Sequence, residues 1–250
     1  MRKSASSMVS KSWRAVVGNH AILEALRVHA DFVEVAWLKP NFESVKELRD
    51  LENELTRRQI KIEIKSEIEL SKLAQSHQGA AVFVSKTCVF DWTTLLQKRK
   101  VKLILLDGVE DPHNLGAVVR TAWLMGVNGI LIPQDRCVKL TPSVHKVASG
   151  GVEHVPIESV NNFNNVIEDL KKNGFWVYGL SHLGKKQLFD LKLPDKIVWV
   201  IGAEDKGLRS STERFCDELI RIPQLCAAAS YNASVAAAIA LTETSRQLGI

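Results

Sequence analysis

Residues 101–122 read VKLILLDGVEDPHNLGAVVRTA. The opening VKLILL is too continuously apolar for a strand with one wet face, and it predicts a parallel strand covered on both sides. Three more runs share this character: NGILIP at 128–133, FWVYGL at 175–180 and KIVWVIG at 196–202. Helical patterns at 114–126, 141–149 and 162–173 lie between them. Strand–helix alternation of this kind predicts a doubly wound α/β sheet. The helix at 162–173 ends on Lys171, Lys172, Asn173 and Gly174, a C-terminal stop signal.

Upstream the pattern is different. GNHAILEALRV (18–28) carries a helical apolar stripe at 21, 22, 25, 26 and 28, and VEVAWL (33–38) reads as a strand. Val45, Leu48, Leu51 and Leu55 among charges predict an amphipathic helix over 43–57. KIEIK (61–65) alternates like a half-buried strand, 67–76 reads as a short helix and AAVFVS (80–85) as a strand. The expected organisation is a flexible basic tail at 1–14, a small α/β domain at 15–87, a linker at 88–100 and a larger α/β domain at 101–250.

With 46% apolar and 24% charged residues, the chain has the balance of a soluble globular protein, not a disordered one. No apolar run approaches the ~18 residues that span a bilayer. The start, MRKSASSMVSKSWR, lacks the apolar centre of a secretory signal and reads as a flexible basic arm, with a short organellar presequence as the alternative; a cytoplasmic protein is expected. The four cysteines (Cys88, Cys137, Cys216, Cys226) are far apart and form no CxxC, which predicts reduced buried thiols. The seven histidines are equally scattered, and no metal is expected. A net charge of +5 permits a phosphate-bearing partner. The tail residues Arg2, Lys3, Lys11 and Arg14, and the cluster Lys98, Arg99, Lys100 and Lys102, are candidates to touch it; each reads equally well as solvated surface.

Ligands of open α/β sheets collect beyond the carboxyl ends of strands, and three such ends here are unusual. DGVEDPHNLG follows VKLILL, with Asn114 able to cap the next helix. Arg120 on that helix leans over the small residues Gly116 and Ala117, back toward Asn114. In VWVIGAEDKGLR (198–209), Gly202 and Gly207 permit tight turns around Glu204. This is neither a GxGxxG fingerprint nor a phosphate loop. In ELIRIPQLCAAASYNASVAAAIALTETSRQL (218–248), a short strand leads through Ile222 and a small-residue loop to Ser230, Tyr231, Asn232 and an alanine-rich helix. Each cluster alone reads as readily as an ordinary capped turn.

Together, in this order, the three clusters strongly resemble the SpoU (TrmH-type) family of SPOUT 2′-O-ribose RNA methyltransferases over about residues 103–248. VGNHAILEAL and HQGAAVFVS resemble the N-terminal RNA-binding domain of its RlmB-like branch, the 23S rRNA guanosine 2′-O-methyltransferases. The resemblance implies a SPOUT domain with a parallel sheet and a trefoil knot that holds S-adenosylmethionine, beside a small α/β RNA-binding domain. It also implies a homodimer whose active site the partner subunit completes. Asn114, Arg120, Glu204, Ser230 and Asn232 match the family's catalytic motif positions; Gly202, Ile222 and residue 231 match positions lining the cofactor. The chain departs from the pattern at Asp205 and Cys226, where glycine is common, and at Tyr231, where leucine is usual.

The implied reaction is in-line transfer of a methyl group to a ribose 2′-hydroxyl. Arg120 is the implied activator, either as a transiently neutral base or, the preferred version, as a lasting charge beside the developing alkoxide and a neighbouring phosphate. The HQG-containing front domain favours rRNA. A tRNA 2′-O-methyltransferase, or a non-catalytic RNA-binding or assembly protein of the same fold, remain the alternatives.

Overall fold

A computed structural model describes residues 13–135, 137–226 and 229–249. The chain divides into two compact units: one runs to Thr87 and adds Leu140–Glu153, and the other comprises Cys88–Lys139 with His154 onward. The helix expected over 141–149 thus belongs to the first unit, although strands of the second unit flank it in sequence. Of the expected tail, residues 1–12 lie outside the described residues, and Arg14 opens a strand.

The first unit contains β1 (Arg14–Val17), α1 (Asn19–His29), β2 (Val33–Leu38), α2 (Lys46–Arg57), β3 (Ile62–Ile64), α3 (Glu67–Ser71) and β4 (Ala80–Val84). Its sheet has the order β1-β4-β2-β3, antiparallel except for the β2–β3 pair. Period-two alternation sends Val16, Val82 and Val84 to one face, where they meet Ile22 and Leu26 of α1 and Leu48, Leu51 and Leu55 of α2. Val17 and Ala81 go to the other face with Leu70 and Ala74.

The HQG stretch is held by local bonds. Buried His77 accepts a hydrogen bond from the Gly79 amide at Nδ1 (3.0 Å), while its Nε2 meets Glu67 at 3.0 Å. Gln78 and Gly79 adopt left-handed angles (φ 57° and 85°), and the Gln78 side chain accepts from the Asn19 amide at the start of α1.

A mid-chain helix, labelled α6 below (Pro142–Ala148), leads to Glu153, which anchors this unit's charges. Glu153 is 2% exposed. The guanidinium of Arg14 donates to both its carboxylate oxygens, and the rings of His29 and His145 approach at 3.5 and 3.7 Å. Arg14, expected in a free basic tail, is instead the counter-ion of a buried carboxylate.

The second unit contains α4 (Trp92–Gln97), β5 (Val101–Asp107), α5 (Pro112–Leu124) and β6 (Gly129–Pro133), with α6 following in the chain. Then come β7 (Ile157–Val160), α7 (Phe163–Lys172), β8 (Trp176–Leu180), β9 (Lys186–Gln187), β10 (Lys196–Gly202), α8 (Ser210–Glu213), β11 (Glu218–Arg221) and α9 (Ala233–Leu248). All seven strands run parallel in the order β7-β6-β5-β10-β8-β11-β9. Residues 88–100, expected as a linker, carry α4, capped by Asp91, and its Leu95 joins the core with Leu103, Val198 and Val200.

The cluster at 98–102 is largely committed to the fold. Arg99 pairs with Asp195, Lys100 donates to the Leu248 carbonyl, and Lys102 is buried with its ammonium on the Met125 carbonyl at 2.6 Å. Burial pushes Lys102 below the ordinary lysine pKa.

Cys88, Cys137, Cys216 and Cys226 form no disulfide, and Cys226 is exposed, contrary to the expectation of buried thiols. Burial pushes Cys137 up to about 11 and Cys216 up to about 12, so neither is a ready thiolate.

Candidate active site

β5 and β10 are paired along seven residues, ending at Asp107 opposite Gly202. That register sets the first two polar clusters side by side at the carboxyl edge. Asp107, 1% exposed, accepts from the Arg209 backbone amide (3.0 Å) and from its guanidinium. It thereby ties the start of the first cluster to the end of the second.

The cap of α5 is Asp111, not Asn114: its carboxylate accepts from the His113 amide at 2.9 Å, with Pro112 in the first helical position. Asn114, in the first turn and 8% exposed, is left to work sideways. Its Nδ2 donates to Glu204 Oε1, and its Oδ1 accepts from Asn232 Nδ2 at 2.9 Å. Asn232 in turn caps α9, accepting from the Ser234 amide at 2.9 Å and hydroxyl at 2.7 Å. Residues 90 and 118 positions apart are joined through one asparagine.

The loop after β10 is closed by two backbone bonds, Ala203 N–H to Gly207 carbonyl (3.1 Å) and Gly207 N–H to Ala203 carbonyl (2.9 Å). A Cβ on Gly202 would lie 2.1 Å from the Gly207 carbonyl carbon, which explains the glycine. Gly207 sits at φ +65°. Asp205 does not adopt a left-handed angle, so its place in a usual glycine position brings no backbone strain.

Beside this loop opens a cleft of about 400 Å³, lined from the carboxyl ends of β8, β10 and β11. Gly202, Glu204, Ile222, Ser230 and Tyr231 all line it, as does Ala203. Tyr231 is half exposed, and its hydroxyl donates to the Pro223 carbonyl (2.9 Å), drawing the two ends of the third loop together. The volume suits a small organic ligand, and the lining mixes apolar side chains with main-chain groups.

The sequence reading missed the loop after β8. Leu180–Leu183 form part of the cleft, with the Ser181 amide on the Ile220 carbonyl at 2.9 Å. The available signal was its position after a buried parallel strand.

Arg120 stands apart from these residues. It is exposed on α5, about 9 Å along the axis from Asn114, and its side chain makes no hydrogen bond or ion pair to a described residue. Gly116 is buried, and α5 packs on α9, whose Ala237 and Ala240 are buried too, so small residues serve helix contact. Among the described residues, no three His, Cys, Asp or Glu side chains gather as a metal site.

A parallel sheet whose carboxyl edge gathers Asn114, Glu204 and Asn232 beside a ligand-sized cleft has the architecture of an α/β ligand-binding domain. Residues 102–242 match the model of the SpoU rRNA Methylase family, and residues 15–87 match that of RNA 2′-O ribose methyltransferase substrate binding. The chain belongs to the SpoU family. It is 37% identical to the 23S rRNA (guanosine-2′-O-)-methyltransferase RlmB of Nitrosomonas europaea, over 93% of this chain and 91% of that protein. It is also 37% identical to RlmB of Pseudomonas aeruginosa, over 94% and 97%. Its fold resembles the SpoU methyltransferase AviRb of Streptomyces viridochromogenes, solved in complex with AdoMet (TM-score 0.81, 21% identity, 94% and 90% covered).

Proposed function

We propose that the protein transfers a methyl group from S-adenosylmethionine to the ribose 2′-hydroxyl of a guanosine in 23S rRNA, in the cytoplasm. The observation that carries this reading is the Asn114–Glu204–Asn232 relay at the edge of the cleft. The residues present fit the methyl donor: Gly202 and Ile222 offer close approach to main-chain groups, and Tyr231 closes the third loop over the cleft. When bound, S-adenosylmethionine supplies an electrophilic methyl group on a sulfonium.

The protein's own groups then hold the nucleophile. Asn114, fixed from both sides, and Glu204 orient the ribose, and Asn232 keeps α9 and the third loop in register. Ser230, exposed at the cleft, is a donor for the ribose or phosphate. Arg120 keeps its charge, takes a neighbouring phosphate in its planar fork and stabilises the alkoxide that develops as the 2′-hydroxyl proton passes to solvent water. Its exposure, away from its own chain's cleft, supports a homodimer in which the partner completes the site. We also infer the trefoil knot. β11 pairs beyond β8, yet α9, which follows it, packs on α5 and β10, so the chain must return across the sheet.

Calorimetry with S-adenosylmethionine, followed by methyl incorporation into 23S rRNA, tests the reading. Arg120→Lys is expected to bind the donor as the unmodified protein does and to lose most turnover. A donor that does not bind the unmodified protein contradicts the reading.

A further inference from the structure

The second unit holds another hollow, of about 180 Å³, beyond the carboxyl ends of β6 and β7. Gln134 follows β6, Asn161 and Asn162 follow β7, and Asn164 lies in the first turn of α7. The remaining side comes from Arg209 and Thr212 after β10. This side is a shared wall. Leu208 and Glu213, from the same short stretch, line the larger cleft, while Arg209 and Thr212 line the smaller hollow.

The lining has unspent hydrogen-bonding capacity. The Thr212 hydroxyl is enclosed within the wall and has no hydrogen-bond partner. The side chains of Gln134, Asn161 and Asn164 make no hydrogen bond to a described residue, so each presents an amide that both donates and accepts. The Asn162 side chain is already used, accepting from the Asn165 amide at 3.2 Å.

Charge decides what the hollow suits. The Arg209 guanidinium is held by buried Asp107, which offsets it, and Asp135 on the rim adds a negative charge. A free phosphate gains nothing there. A neutral group with donors and acceptors along a planar edge does: amide side chains read nucleobase edges bidentately, and RNA loops splay their bases outward for such readers. The hollow, of about 180 Å³, has room for a planar ring.

We propose that this hollow takes the nucleobase flanking the methylated nucleotide, making Gln134, Asn161 and Asn164 specificity-determining residues of the methyl transfer. The inference rests on reading the larger cleft as the donor site, because the shared wall is what would hold target and neighbour together.

The test uses the full-length protein, S-adenosylmethionine and a transcript pool of the mapped 23S rRNA target with its two neighbours randomised. Sequencing of 2′-O-methyl marks reads the preference. The unmodified protein is expected to favour one nucleotide at one neighbouring position by about tenfold or more, the usual worth of a bidentate base contact. Asn161→Ala/Asn164→Ala should reduce that preference to within about twofold while calorimetry shows unchanged donor binding. Asn161→Asp, which keeps the shape and removes the donor, should shift the preferred base. A preference retained in both variants with donor binding intact overturns the hollow alone. Absence of preference in the unmodified protein also overturns it. Failure of the unmodified protein to bind the donor overturns the reading of the larger cleft, and this inference with it.

Discussion

Two polar networks in this chain use similar side chains and end in opposite states. In the first unit, the carboxylate of Glu153 is enclosed by Arg14, His29 and His145 and is 2% exposed. In the second, Glu204 shares one oxygen with Asn114 and lines a cleft open to a ligand. A fully paired buried charge fixes one arrangement of β1, α1 and the 140–153 segment, and removing a single partner leaves the other uncompensated. Glu204 at the cleft is held through one oxygen only, which leaves its other oxygen without a protein partner among the described residues. On the proposed reading, the first set of polar groups holds the chain and the second acts on a substrate.

Substitutions should divide along that line. The largest effect is expected for Gly202→Ala, whose Cβ would meet the Gly207 backbone at 2.1 Å. Calorimetry should show loss of S-adenosylmethionine binding while the unfolding midpoint of the first unit is unchanged; donor binding at the unmodified affinity breaks the comparison. Next, Arg14→Ala should cost about 3–5 kcal/mol of stability in denaturant, since it strands a buried carboxylate. Its purified folded fraction should still bind the donor.

The pH dependence follows from the same cluster. Burial pushes His145 below its ordinary value of 6.5, so the folded chain keeps it neutral where the unfolded chain is protonated. The unfolded state then binds more protons, and stability falls as the pH drops below about 6.5. Glu153 acts lower. Burial raises its pKa, but the His145 ring beside it and the Arg14 guanidinium bonded to both its oxygens outweigh this and hold it at about 2. Its contribution is complete above the ordinary 4.5 and is lost as the pH falls toward 2. Thermal unfolding should therefore weaken in two stages, and His145→Phe should remove the first. A flat profile between pH 7 and 5 contradicts this account.

The smallest effect is expected for Asn232→Ser. Serine still caps α9 and cannot reach Asn114, so stability should change by less than about 1 kcal/mol while methyl transfer falls. Equal losses in both would make Asn232 a holding residue only.

The parts that follow local rules were legible in the sequence. The spacing of Leu48, Leu51 and Leu55 marked α2, and the runs at 101–107 and 196–202 became the two central strands. The resemblance put Asn114, Glu204 and Asn232 in one site, and their side chains do meet. Non-local pairing was not legible. Glu153 finds Arg14 across 139 residues, and nothing in HVP or SWRAVV announces it. The cap of α5 was recoverable, because Pro112 marks the first helical position and so points to Asp111. The placement of 140–153 with the first unit was not, since a short amphipathic helix fits either neighbour by pattern alone.

The central claim is ribose methylation of RNA at the Asn114–Glu204–Asn232 edge, and mapping 2′-O-methyl marks in total RNA tests it most directly. A strain lacking the gene is compared with one restored by the unmodified gene and one restored by the Arg120→Lys variant. The account predicts a 23S rRNA guanosine whose mark disappears with the gene, returns with the unmodified protein and stays absent with the variant. Identical marks in all three strains would contradict it.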